Sequence, residues 1–415
     1  MNATFAKPLR TTGLTVGTVG LIACAALLLV GAEAFFRGYL VAWLFWAGVS
    51  LGSLALLMLH HLVAGGWGAI GQRHFEAGAL TIFVMALLYV PLLFGMHALY
   101  EWTHAEVVAE DPVLQHKKPY LNVPFFVGRM VLYFGFWGAC AWFFRRWSVR
   151  LGETGDAALA QRMRRLAAGG LVGHILLITF ASLDWVMSLE PHWFSTIFGW
   201  MIAVSEVLTA LAGAVLALSW LARRERRTAR DDGAGGNAGG RAGGQEGPIG
   251  RLFSTKYLHD YGNLLLAFVI LWMYMVFVQY LIMWAGNVPE DIEWYVARRE
   301  APYGWIAPVL VIFHFAIPFT LLLLRRMKRS RFSLPVLSGS LLAVHLLYLA
   351  WLVWPAFEQV GLLTIGAGAA GFVGIGGLWT GGYAFFLGRR PLLPRRDPRF
   401  EDFYERLGAG ARTEA

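Results

Sequence analysis

The sequence predicts an all-α polytopic membrane protein of about ten transmembrane helices. Three observations predict it. Of 415 residues, 57% are hydrophobic and only 15% are charged, against about 25% charged in an ordinary soluble domain, so the apolar surface needs lipid as its solvent. Ten stretches come close to the roughly 20 mostly apolar residues that a bilayer-crossing helix requires. The basic residues alternate between successive loops, as they do when orientation is set by positive charge on the cytoplasmic side.

The spans fall near residues 12–32, 40–62, 77–98, 123–144, 166–189, 194–221, 260–285, 303–324, 334–354 and 360–388. With the N-terminus inside, 29 of the 35 lysines and arginines lie in the cytoplasmic segments and five in the external loops, and Arg129 lies within a span. One missed or extra helix would break this alternation, so it supports the span count and places both termini in the cytoplasm. The net charge of +9 is therefore an orientation signal for the bilayer; it does not read as a nucleic-acid footprint. The first span has a rival reading. Lys7 and Arg10, an apolar run and Ala32-Glu33-Ala34 resemble a cleaved signal peptide, although the apolar run is long for one.

Residues 228–250 are rich in Gly, Ala, Arg and Asp without periodicity and read as a flexible cytoplasmic linker. They divide the chain into helices one to six (1–227), helices seven to ten (251–390) and a cytoplasmic tail (391–415). Segments 99–122 and 286–302 are acidic and aromatic external loops, with Trp102, Tyr120, Trp294 and Tyr295 as interfacial anchors. Gly366, Ala370, Gly374, Gly377 and Gly381 in the last span, and Gly48 and Gly52 in the second, have the small-residue spacing that allows close helix approach.

Cys24 and Cys140 lie singly in apolar runs. The absence of CxxC and CxxCH motifs excludes four-thiolate iron–sulfur sites, zinc ribbons and covalent c-type haem within this chain. No span carries the two histidines about four turns apart that stacked haems require, and no metal is expected.

Ionisable side chains within hydrocarbon are costly, so each is a candidate for function. Asp184 lies six residues before Glu190, about 9 Å below the outer surface, and Arg129 lies at a similar depth. Two readings stay open for them. They form a buried pair holding two helices together, or Asp184 is a base at an outer proton-accepting site with His97 as its hydrogen-bond partner. Ser188, four residues from Asp184, shares its helix face. Glu206 lies about 18 Å from the outer end, near the midplane. His174, His314 and His345 lie within their spans, and His60 and His61 at the inner end of the second. Together with Glu206 they step from the cytoplasm to the outer cluster, as a proton path would.

Pro191 forces a tight turn after Glu190, making residues 181–200 a polar-lined helical hairpin bounded by Trp185, Trp193 and Phe194. This hairpin, SLDWVMSLEPHWFSTIFGW, together with LQHKKPYLNVPFF at 114–126 and FWAGVSLGSLALLMLHHL at 45–62, resembles the NrfD-like (polysulfide-reductase-type) membrane subunits of alternative complex III. The resemblance is closest to the second of the two homologous large subunits, the ActF type, and covers roughly residues 35–390.

It implies two four-helix bundles with two flanking helices in a bacterial cytoplasmic membrane. It also implies partnership with a homologous NrfD-like subunit, an iron–sulfur subunit and c-type haem subunits. The expected role is in quinol:cytochrome c (or oxidase) oxidoreduction, through quinone binding, proton translocation or both, with menaquinone or ubiquinone as the quinone. Asp184 matches the aspartate of the family hairpin. The rivals from other classes are a proton-coupled secondary transporter and a structural scaffold subunit.

Overall fold

The computed structural model describes residues 6–63, 65–234, 255–357 and 360–389. Among these, ten helices are long and apolar enough to cross a membrane. We number them α1 (Ala6–Leu28), α2 (Ala32–Val63), α3 (Gly66–Phe94), α4 (Val123–Thr154), α5 (Ala157–Leu189), α6 (Phe198–Arg227), α7 (Tyr257–Gly286), α8 (Ile306–Leu323), α9 (Ser333–Ala356) and α10 (Leu362–Leu387). Each coincides with one expected span. The helix containing α6 continues to Ala234, so the first residues of the expected linker extend a helix. The rest of the linker, and the tail at 391–415, lie outside the described residues.

Local chemistry fixes the helix ends. Gly155, at φ 69°, closes α4 in the left-handed conformation that glycine adopts without steric penalty. The next residue, Asp156, caps α5 by accepting from the Ala158 amide. Asn122 caps α4 through the Phe125 amide.

The third helix begins at Gly66, about a turn beyond the preceding helix, where the expectation was a cytoplasmic loop reaching residue 76. Gln72, Arg73, His74 and Glu76 depress the local hydropathy there. The structure buries all four: Gln72 and Arg73 bond Glu76, as described below, and His74 meets the Tyr383 hydroxyl at 2.7 Å. At Thr81 the helix bends: the Thr81 hydroxyl donates to the Gly78 carbonyl at 2.5 Å and meets the Ser50 hydroxyl at 2.7 Å.

Helices α2, α3, α4 and α5 close one four-helix ring, and α6, α7, α8 and α9 close a second. The rings meet where α2 packs on α6 and α9, and α5 on α6. This is the architecture expected from the resemblance, with α1 and α10 as the flanking pair lying against α2 and α3. The flanking pair is joined backbone to backbone. A Cβ on Gly377 would stand 2.3 Å from the Gly17 nitrogen, and only glycine permits that approach. Gly366, in the same spaced series, faces open space.

Two ends of the molecule can be distinguished. One carries the α5–α6 turn and the short helix Pro289–Arg299, and is called here the hairpin face. The other, where the α4–α5 and α8–α9 connections lie, is the arginine face.

Candidate functional site: buried ionisable clusters

Asp184 is fully buried and engaged on both oxygens. Arg129 donates to it twice, Nε to Oδ2 and Nη2 to Oδ1, both at 2.8 Å. The Tyr133 hydroxyl donates to Oδ2 at 2.7 Å. The guanidinium lies over the rings of Tyr120 (3.9 Å) and Phe125 (4.4 Å), and its remaining nitrogen donates to the Tyr120 carbonyl at 3.0 Å. A planar fork on a carboxylate, roofed by aromatic rings, is the geometry in which arginine binds most firmly. The group clamps α4 to α5.

His97 does not join this group. It is exposed in a short segment past α3, its ring stacks on His104 at 3.7 Å, and its Nδ1 meets the Thr103 hydroxyl at 3.4 Å. The pairing of His97 with Asp184 is therefore corrected, because the chain turns out of the helix at Gly95 and carries the imidazole away. Ser188 is also turned elsewhere: its hydroxyl donates to the backbone carbonyl of Asp184 at 2.7 Å, not to the carboxylate. Trp185 is buried against Trp43, with centroids 4.9 Å apart, and Ser195 bonds Gln279 of α7. The carboxylates and serines of the hairpin are thus spent on protein partners.

A second arginine clamp on this face went unread in the sequence. Arg298, placed there in an external loop, is buried and donates to both oxygens of Glu190, at 3.1 and 2.5 Å. It also donates to the Leu352 carbonyl at 2.8 Å and lies 3.5 Å from the Trp294 ring centroid. Burial pulls its affinity for protons down, and Glu190 opposes that; the group keeps its charge, as guanidinium does in proteins. Trp294 in turn stacks on Trp193 of the hairpin at 4.5 Å. The helix Pro289–Arg299 is thereby fixed across the second bundle. The hint in the sequence was amphipathic spacing: Trp294 and Arg298 are four apart and share a face.

The arginine face carries a third cluster. Glu76 is fully buried and receives Arg73 at 2.7 Å, Arg145 at 3.3 Å, Ser148 at 2.5 Å and Gln72 at 2.9 Å. His60 and His61 lie near this end of α2, with His61 stacked on Phe144 at 5.1 Å and His60 beside Trp67 at 6.0 Å.

Between these clamps lies a group of a different kind. Glu206 of α6 is buried, and its Oε2 stands 3.9 Å from Nε2 of His174 on α5. Among the described residues neither nitrogen of His174 nor Oε2 of Glu206 has a hydrogen-bond partner. Glu206 also shares with His345 of α9 a small cavity of about 20 Å³, lined as well by Ser182 and Ser205. A cavity of that size with several polar walls has room for one water molecule. The His345 ring is 5.9 Å from that of His314 on α8, and His314 lies 4.1 Å from Trp272. His174, Glu206, His345 and His314 thus follow one another across the junction of the two bundles. His60 and His61 do not belong to this sequence of contacts. His60 is eight residues along α2 from Gly52, which packs on Glu206, a separation of about 12 Å.

His314 sits in an irregular turn. Residues Leu310–Ala316 of α8 are π-helical. Pro318 lacks an amide hydrogen and crowds the carbonyl four residues back, at His314, so the helix widens there. Such widened turns frequently mark functional positions.

Compared with protein-family models and with curated proteins, the chain matches none.

Proposed function

We propose that this chain is a membrane subunit of a quinol:cytochrome c (or oxidase) oxidoreductase, and that its part is to move protons along the junction between its two bundles. The observation that carries the reading is Glu206: a carboxyl group that no arginine or lysine clamps among the described residues, set between a histidine of the first bundle and a histidine of the second. Asp184, Glu190 and Glu76 are each held by arginine, whereas Glu206 has only imidazoles that can gain and lose a proton. The quoted motifs at 45–62, 114–126 and 182–200 support the family, and the two-bundle fold agrees with it.

In this reading a proton passes between His174 and Glu206 once a side-chain movement closes their 3.9 Å separation to hydrogen-bond distance, then to His345 through one water in the shared cavity, then to His314. Each transfer returns the donor to its starting form when the next proton arrives. The arginine face lies in the cytoplasm, as the positive-inside rule requires, in a bacterial cytoplasmic membrane. The partners are a homologous NrfD-like subunit, an iron–sulfur subunit and c-type haem subunits, with menaquinol or ubiquinol as reductant. His60, His61, Asp184 and His97 are not assigned to the path.

A pull-down of the chain from its native membranes in mild detergent, with mass spectrometry and an optical spectrum, tests the assignment. The expected result is co-purification of iron–sulfur and c-type haem proteins with quinol-reducible absorbance. A colourless protein recovered alone would count against it. One observation favours a second reading, a proton-coupled transporter: the interrupted helix α8, since transporter sites use broken helices. Substrate-driven uptake by vesicles holding this protein alone would select that reading.

A further inference from the structure

A slot of about 680 Å³ lies between α6 and α9 on one side and α1, α2 and α10 on the other. Its wall runs along α6 from Gly213 to Leu221 and along α10 from Phe372 to Leu387. At the helical rise these stretches are about 12 and 22 Å long. One leaflet has a depth of about 15 Å, half the hydrocarbon core, so the slot has the length of a single leaflet. One end, marked by Leu9, Leu221 and Leu387, lies at the arginine face; the other, at Phe45 and Leu346, lies near the middle of its helices. Trp220 and Ala343 are exposed on its flank, so it opens sideways to lipid. The flanking pair α1 and α10 packs on α2 and α3 rather than on α6 and α9, and the slot is the seam this leaves.

The walls suit hydrocarbon. The Trp46 indole donates to the Phe372 carbonyl at 3.0 Å and the Trp379 indole to the Ser50 hydroxyl at 2.9 Å. His74 Nδ1 meets the Tyr383 hydroxyl at 2.7 Å. These polar tips are engaged within the protein. Two glycines widen the slot: a Cβ on Gly213 of α6 or on Gly339 of α9 would meet nothing within 4 Å. Glycine weakens a helix interior, and neither of these draws two helices together as Gly52 and Gly377 do.

The mouth at the arginine face is cationic. Lys7 and Arg10 flank Leu9, and Arg223 lies two residues beyond Leu221; all three are exposed. Arg224 is also exposed, with its guanidinium 5.5 Å from the centroid of the Trp220 ring. Among the described residues of these helix ends the one carboxylate is Glu225.

We propose that the slot binds an acyl chain of an anionic glycerophospholipid, with the phosphate held at Lys7, Arg10, Arg223 and Arg224. The chain matches the length and apolar walls of the slot, and the phosphate matches the charge at its mouth. Basic side chains beside a leaflet favour anionic head groups, and arginine grips phosphate through several N–H donors at once. The site depends on the membrane fold alone and is independent of the proposed function.

The test uses the full chain in mild detergent, with phosphatidylglycerol carrying a diazirine in one acyl chain as photoprobe and mass spectrometry to map the labelled peptides. Labelling is expected at residues 213–221 and 339–346, displaced about tenfold more readily by unlabelled phosphatidylglycerol than by phosphatidylcholine. Gly213→Trp with Gly339→Trp fills the slot and abolishes labelling there. Replacing Lys7, Arg10, Arg223 and Arg224 together by Gln keeps the labelling but removes the preference for phosphatidylglycerol. Thermal unfolding checks that both variants are folded, and the second changes only exposed side chains.

Slot labelling that survives the two tryptophan substitutions would overturn the proposal, since the probe would then lie on the general lateral surface. Equal displacement by the two lipids, or a preference that persists without the four cations, would also overturn it by removing the head group from the mouth. So would an unlabelled slot beside labelled lateral surface elsewhere, which would mean that polypeptide covers it.

Discussion

Asp184→Asn is expected to cost about 3–5 kcal/mol of stability, the usual result of removing one partner from a buried ion pair. The reason is Arg129. Its guanidinium is buried and held by the two carboxylate oxygens; an amide supplies one acceptor and no charge, so the cation is left in hydrocarbon. The Tyr120 and Phe125 rings and the Tyr120 carbonyl remain as partners, but they replace neither the charge nor the fork geometry. The variant should be recovered poorly and unfold at lower temperature in detergent. The double variant Asp184→Leu with Arg129→Met should be less damaged than Asp184→Asn, because apolar replacement of a whole buried pair is often tolerated. If Asp184→Asn instead assembles and melts like the wild type but loses quinol oxidation, the clamp reading fails and Asp184 is a working base.

Gly52→Ala is expected to be clearly destabilising, whereas Gly48→Ala, one turn away on the same helix, should be close to neutral. A Cβ at Gly52 would lie 2.1 Å from the Glu206 carbonyl oxygen and 2.9 Å from the Ala210 Cβ, so one backbone would have to move off another. Overpacking of this kind costs about 1–3 kcal/mol, occasionally more. It acts at the junction of the bundles and so displaces Glu206. A Cβ at Gly48 meets only the Glu206 Cγ, at 3.4 Å, which is ordinary contact. Parallel melting curves of the two variants decide the matter. Equal tolerance would mean that α2 and α6 are further apart than described.

These two glycines also mark what a sequence can convey. Their spacing announces close helix approach but not which of them touches backbone, because spacing along one helix does not specify the neighbour. The ten spans were legible because lipid demands long apolar runs and basic loops alternate. The beginning of α3 was hidden: Gln72, Arg73, His74 and Glu76 look like loop residues until Ser148 and Arg145 arrive from α4 to satisfy Glu76. The Asp184–Arg129 pair was legible from equal depth in adjacent spans. The exclusion of His97 was not, since it depends on where the chain leaves the helix. Depth likewise ordered Glu206, His174 and His345 without showing that their faces converge. Arg298 was read only as an external-loop cation because its partners, Glu190 and the Leu352 carbonyl, lie far away in the chain.

The central claim is that Glu206 carries protons during quinol oxidation. The direct measurement is quinol-driven proton release per electron, made on native membrane vesicles with the wild-type chain and with Glu206→Gln. Glutamine keeps the shape of the side chain and breaks no arginine clamp, so the complex should assemble. The expected result is electron transfer near the wild-type rate at low membrane potential with a clearly lower proton-to-electron ratio. An unchanged ratio, with assembly and turnover intact, would contradict the account and leave the chain as a scaffold.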